Sequence, residues 1–208
     1  MTDTSTRAAR DDLAFLKAVT EDRGPLPGVL GGHMLGVGAA YAPNLVLVWA
    51  IYDHRVPWPE ALMWGTWLPG TAVWLVIWLV LQGRMKAMGA GGFGPSARVF
   101  GAAWSAVGLM TAATVGLLMT ATLATGQTNF IQLWPAFAFV LWGGSWSAIA
   151  LVRRRWWLGL VALASFAFAI GAAALLAVPE VWLLMAAGLL LVFALPGAVI
   201  LRQASRAA

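Results

Sequence analysis

There is no cysteine in this chain. That removes disulfides, thiolate nucleophiles and thiolate metal sites, and it leaves the redox compartment undetermined. Charge is scarce as well. Of 208 residues 10% are charged, while 61% are hydrophobic and the mean hydropathy is +0.81; soluble domains carry ~25% charged residues. A water-soluble core of this length cannot hide so much apolar surface, so the surplus is expected to face lipid. A third absence is alternation: no stretch switches apolar and polar with period two, which excludes a membrane β-barrel, and an open sheet does not survive in lipid. A fourth concerns charge placement. No Asp, Glu, Lys or Arg stands in the middle of an apolar run, and Asp53, Glu60, Arg98 and Glu180 all stand at ends. Proton- and ion-coupled carriers need such a group near mid-membrane, so its lack counts against a proton-driven antiporter.

Histidine is nearly missing too. His33 and His54 flank the first apolar run, about 31 Å apart along a helix of 1.5 Å rise. They cannot bracket one haem. A single-histidine pigment ligand is the sharper reading, and an interfacial histidine the plainer one. With no H-E-x-x-H or similar cluster, no metal site is expected. With no paired acid and base and no nucleophile, no catalytic residue is expected either, and no cofactor. Gly89-Ala90-Gly91-Gly92-Phe93-Gly94 formally matches a dinucleotide fingerprint. It follows no strand and opens no βαβ unit, so it reads as a loop before Pro95-Ser96.

What remains is six apolar runs of about 20 residues or more, each long enough to cross a hydrocarbon core of ~30 Å. They fall at 28–52, 60–82, 97–122, 130–152, 156–176 and 179–201. The expected fold is all-α: a polytopic bundle of six transmembrane helices over 28–201, behind a polar arm (1–27) and before a short tail (202–208). Within the arm, Leu13, Leu16 and Val19 share a side behind Asp11 and Asp12, which predicts a short amphipathic helix at the membrane surface. Basic residues orient the bundle. Arg7, Arg10, Lys17 and Arg23, then Arg84, Lys86 and Arg98, then Arg153, Arg154 and Arg155, then Arg202 and Arg206 gather on one side, leaving Arg55 opposite. The positive-inside rule puts both termini in the cytoplasm. The net charge of +5 therefore reads as topology signals and contacts to anionic lipid headgroups, above all through Arg84, Lys86, Arg98 and Arg153-Arg154-Arg155, not as a nucleic-acid surface.

Three patterns inside the runs are candidate determinants. Gly28, Gly32, Gly36, Ala40 and Asn44 recur at steps of four and line one face of the first helix, where small residues let another helix approach. Pro43 should loosen the helix beside Asn44, the one strongly polar side chain well inside a run. A small and hydroxylic side of the third run, Gly101, Ser105, Gly108 and Ala112, is the expected partner of that ridge. Tryptophan, at 13 residues, makes a stripe of Trp64, Trp67, Trp74 and Trp78 in the second run, echoed by Trp142 and Trp146 in the fourth. The stripe reads either as helix packing and interface anchoring or as an aromatic groove for a flat or polyene lipid.

The chain resembles a group of bacterial inner-membrane proteins of unknown function. The carriers are D-D-L-A-F-L-K-A-V-T-E-D followed by P-L-P-G-V-L-G-G, the glycine-rich loop running into A-R-V-F-G-A-A-W-S-A-V-G, and the closing A-L-P-G-A-V-I-L-R. The resemblance implies six spans in the inner membrane and no activity. The leading expectation is a non-enzymatic accessory, regulatory or interaction protein whose partners are the bilayer and other membrane helices, from a second copy or a complex. The alternative is a membrane subunit of a transporter, since six spans with both ends inside look like the substrate-binding subunits of energy-coupling-factor transporters. A lipid- or pigment-binding protein is the third.

Overall fold

The computed structural model describes Arg10, residues 12–14, Lys17 and residues 28–59, 65–87, 95–127, 129–176 and 178–206. Those residues contain no strand. Five helices are long and apolar enough to cross a membrane, and a shorter apolar one, Trp67–Gly83, accompanies them. The elements are α1 (Gly28–Tyr52), α2 (Trp67–Ala87), α3 (Pro95–Thr125), α4 (Trp134–Arg153), α5 (Trp156–Ala174) and α6 (Glu180–Ser205). A one-turn piece, Asn129–Gln132, leads into α4. The protein is an all-α membrane bundle. Of the arm, Arg10, residues 12–14 and Lys17 are helical and exposed; the rest of the amphipathic helix expected there lies outside the described residues.

Helix ends differ from the apolar runs for a consistent reason. An apolar run stops at the first polar residue, whereas the backbone helix continues into the interface. So α2 reaches Ala87, α3 reaches Thr125, and α6 reaches Ser205 and takes up Arg202. At its start α2 is later than the run at 60: Gly65 and Thr66 form a turn, with the Leu68 N–H donating to the Gly65 carbonyl at 3.1 Å. Residues that close helices sit in the left-handed region, Gly126 (φ 69°) after α3 and Arg154 (φ 49°) after α4. Glycine reaches that conformation without strain, and arginine does not.

α6 is the hub. It packs against α1 on one side and α5 on the other, and α1 in turn carries α2. α4 and α5 form the closest hairpin, and α3 rests on α4. The inner surface is aromatic: Phe193 of α6 meets Trp104 of α3 (ring centroids 5.3 Å) and Trp142 of α4 (4.8 Å), while Trp146 lies 5.4 Å from Trp104. Trp146 and Phe139 are fully buried. Edge-to-face pairs of this kind contribute about 0.5–1.5 kcal/mol each beyond their area burial.

Phe193 is held there by a break in regularity. Residues Leu190–Ala194 form a π turn, closed by the Leu195 N–H donating to the Leu190 carbonyl. A proline stands just beyond it and favours an interruption. Pro196 has no N–H to give the carbonyl four residues back, and its ring collides with that carbonyl. Widening the helix by one residue relieves both problems.

Contacts between helices also show which ends lie together. Gly28, at the start of α1, faces Ala204 and Leu201 of α6, and Gly32 faces Leu81 of α2. Arg155 Nη1 donates to Gln203 Oε1 at 2.9 Å, and Phe100 of α3 meets Trp146 of α4 at 6.4 Å. The start of α1, the end of α2, the start of α3, the α4–α5 turn and the end of α6 therefore share one end of the bundle. That end carries every basic cluster between 84 and 206, while Asp53, Arg55 and Glu180 lie at the other.

Candidate functional site

α1 presents two small faces rather than one. The ridge at steps of four looks at α2. A Cβ added at Gly36 would stand 2.9 Å from Ile77 Cγ2, and one at Gly32 would stand 3.4 Å from Leu81 Cδ2. Further along, Asn44 and the Ala40 carbonyl press on Gly70 of α2. From Gly32 onward the ridge thus packs on α2, while Gly28 faces α6; α3 is not its partner. Gly101 and Gly108 of α3 have nothing within 4 Å of where a Cβ would be. Two hydroxyls on this helix turn inward on their own backbone. Ser105 donates to the Gly101 carbonyl (2.9 Å) and Thr114 to the Met110 carbonyl (2.8 Å), so neither reaches across to a neighbour.

The second face of α1 is the closer one. A Cβ on Gly31 would meet the Gly197 carbonyl at 2.8 Å and the Leu201 amide nitrogen at 2.9 Å. One on Gly38 would meet the Ala194 amide nitrogen at 2.8 Å and the Leu189 carbonyl at 2.9 Å. Backbone meets backbone on this side, directly against the π turn. Sequence reasoning missed Gly31, Gly38, Gly188 and Gly197. Their seven-residue spacing in α1 was a legible signal, masked by the four-residue ridge beside it.

Asn44 is half-buried, and its Nδ2 is shielded from solvent without a hydrogen-bond partner. Pro43, beside it, is exposed and interrupts no packing surface. Two further contacts tie α1 to α2 on the near side of this position: Tyr41 Oη and Thr71 Oγ1 lie 3.2 Å apart, and the His33 and Trp74 rings meet edge-on at 6.0 Å.

The tryptophans separate into two groups. Trp67 and Trp74 fill the α1–α2 seam, Trp67 against Tyr41 (6.1 Å) and Trp74 against His33; Trp78 stacks on Trp74 at 6.5 Å and faces outward. Trp64 lies outside the described residues. Trp142 and Trp146 belong instead to the core cluster with Phe193 and Trp104. Among the described residues, no ring contact joins Trp67, Trp74 or Trp78 to Trp142 or Trp146.

Among the lipid-headgroup candidates, Arg84 and Lys86 lie on the last turns of α2, and Arg98 on the first turn of α3. Arg153 is buried at the end of α4, Arg154 is exposed, and Arg155 reaches Gln203. At the opposite end Asp53 accepts a hydrogen bond from Arg55 Nε at 2.7 Å. That bond, and then the charge of Asp53, raises the Arg55 pKa above its ordinary value. No group of His, Cys, Asp and Glu that could hold a metal ion occurs among the described residues.

Fold and site together define a polytopic α-helical membrane protein whose closest contacts are helix on helix. No family model matches the chain, and neither a curated protein nor a solved structure does.

Proposed function

We propose that this chain is a multi-pass inner-membrane protein with no catalysis of its own, acting as an accessory or regulatory subunit through contact with other membrane helices. The observation that carries the reading is the uneven burial of the helices. Only 11% of the apolar stretch of α3 is buried within the protein, against 56% for α6. Along α3 the glycines face open space, Ser105, Thr114, Thr120 and Thr125 bond back to their own helix, and Leu109, Leu117 and Leu123 stand exposed, which leaves an apolar face for another membrane helix to cover. α3 is the docking element of this reading, for a partner helix or a second copy. The basic end of the bundle lies in the cytoplasm in the same reading, together with both termini.

The cysteine-free sequence makes the test direct. Single cysteines placed at Gly108 and Ala112 of the full chain are expected to cross-link to a protein in native membranes, and a cysteine at exposed Leu163 of α5 is not. Cross-linking that is no stronger from α3 than from α5 overturns the proposal.

A transporter subunit is the second reading, favoured by the π turn of α6. Interrupted helices near mid-membrane form substrate sites in many carriers. Co-purification of an ATPase with the full chain would select this reading over the first.

A further inference from the structure

The basic end concentrates positive charge on two neighbouring segments of the chain. Five arginines, Arg153, Arg154, Arg155, Arg202 and Arg206, lie on the α4–α5 turn and the end of α6, joined by the Arg155–Gln203 hydrogen bond. The described carboxylates of the bundle, Asp53 and Glu180, lie at the far end, and Asp12 belongs to the arm.

Geometry adds direction to this charge. Arg154 holds a left-handed conformation (φ 49°) at the C-cap of α4, a place that glycine fills at less cost. The Arg154 side chain is exposed there. Arg202 and Arg206 are exposed on α6, and Arg206 stands one turn beyond Gln203, on the same face. Next to the turn, Trp156 is 78% exposed, an amphipathic ring of the kind that settles at headgroup level. Guanidinium groups bind phosphate in two-pronged fashion, which an ammonium group does not reproduce.

We propose that the α4–α5 turn and the last turn of α6 form a discrete site for the phosphodiester headgroup of an anionic glycerophospholipid, with Arg154 and Arg202 as its principal ligands, Arg155 held in place by Gln203, and Trp156 against the acyl-chain boundary. This goes beyond general anchoring at the interface, because it requires preference for one headgroup at one place. It is independent of the docking role of α3.

The test uses the full chain in detergent, with phosphatidylglycerol or phosphatidylcholine titrated in and bound lipid counted by native mass spectrometry. Phosphatidylglycerol is expected to bind at least tenfold more tightly. Replacing Arg154→Gln and Arg202→Gln is expected to weaken it on the order of five-fold for each arginine removed. Arg55→Gln, at the other end, is expected to change nothing. Arg154→Lys with Arg202→Lys keeps the charge and is expected to retain the preference for phosphatidylglycerol in weakened form. Equal binding of the two lipids, or unchanged binding in the glutamine variant, overturns the site. Displacement of the lipid by millimolar inorganic phosphate also overturns it, since a free anion would then be the ligand. If the glutamine variant does not fold, the wild-type chain decides: the phosphatidylglycerol preference is expected to shrink as salt is raised, and a preference indifferent to salt overturns the proposal.

Discussion

A glycine in this protein means opposite things depending on where it stands. At Gly38 an added Cβ meets the Ala194 amide nitrogen and the Leu189 carbonyl, neither of which can move without opening α6. At Gly108 it meets nothing within 4 Å. Gly38→Ala is therefore expected to destabilise by about 1–3 kcal/mol, as overpacking does. Gly108→Ala is expected to be neutral or to stabilise by about 0.5–1 kcal/mol, through the helix preference for alanine. Thermal denaturation of both variants in one detergent checks the pair, and equal losses would contradict the packing described. This distinction was not legible in the sequence. Composition gives 23 glycines and periodicity groups them by face, but only the neighbouring helix decides which face is crowded. The ridge through Gly28, Gly32 and Gly36 was visible because its spacing is internal to α1. Its partner was not, because Leu81 and Ile77 look like any lipid-facing residues. For the same reason Asn44 could be singled out from the sequence, but not the Gly70 that it touches.

Apolar length and the absence of alternation carried the helices themselves into view, since both follow from the chain alone. What escaped is the interruption of α6. Pro196 was visible in the sequence, yet a proline in an apolar run permits a kink, a break or a widened turn, and packing chooses among these. Here Gly188 must face Phe139 before the turn, and Gly197 must face Leu35 after it, so one additional residue is accommodated between two fixed registers. A testable consequence concerns deletion. Removing Leu191, which is exposed within the π turn, is expected to restore a regular helix with both flanks in register and to leave a folded protein. Removing Leu163 from α5, equally exposed, rotates everything beyond it by about 100°, set by 3.6 residues per turn, and is expected to abolish folding. Monodisperse yield in detergent distinguishes the two outcomes. The reverse result would mean that Pro196, and not the flanking contacts, holds the turn open.

For the molecule as a whole, charge pattern and contacts converge on one polarity. The basic clusters fall on the end of the bundle where Gly28 meets Ala204, and in the function proposed above the positive-inside rule puts that end in the cytoplasm. A reporter that works only in the cytoplasm, fused after Ala208, is expected to be active; the same reporter placed between Gly126 and Asn129 is expected to be silent. Activity only at the second position would invert the bundle. The meeting of α1 with α6 has a further consequence, for the order of biogenesis. α1 is the first of the six helices to leave the ribosome and α6 the last. Gly31 cannot find Gly197 until about 160 residues later, on the order of ten to thirty seconds at ordinary rates of synthesis. During that interval the glycine face of α1 lies bare in the bilayer, open to the small-featured surfaces of other nascent helices. The closure of α1 on α6 therefore waits for the last helix of the bundle, and any chain released before α6 is complete leaves the membrane holding a helix whose closest partner was never made.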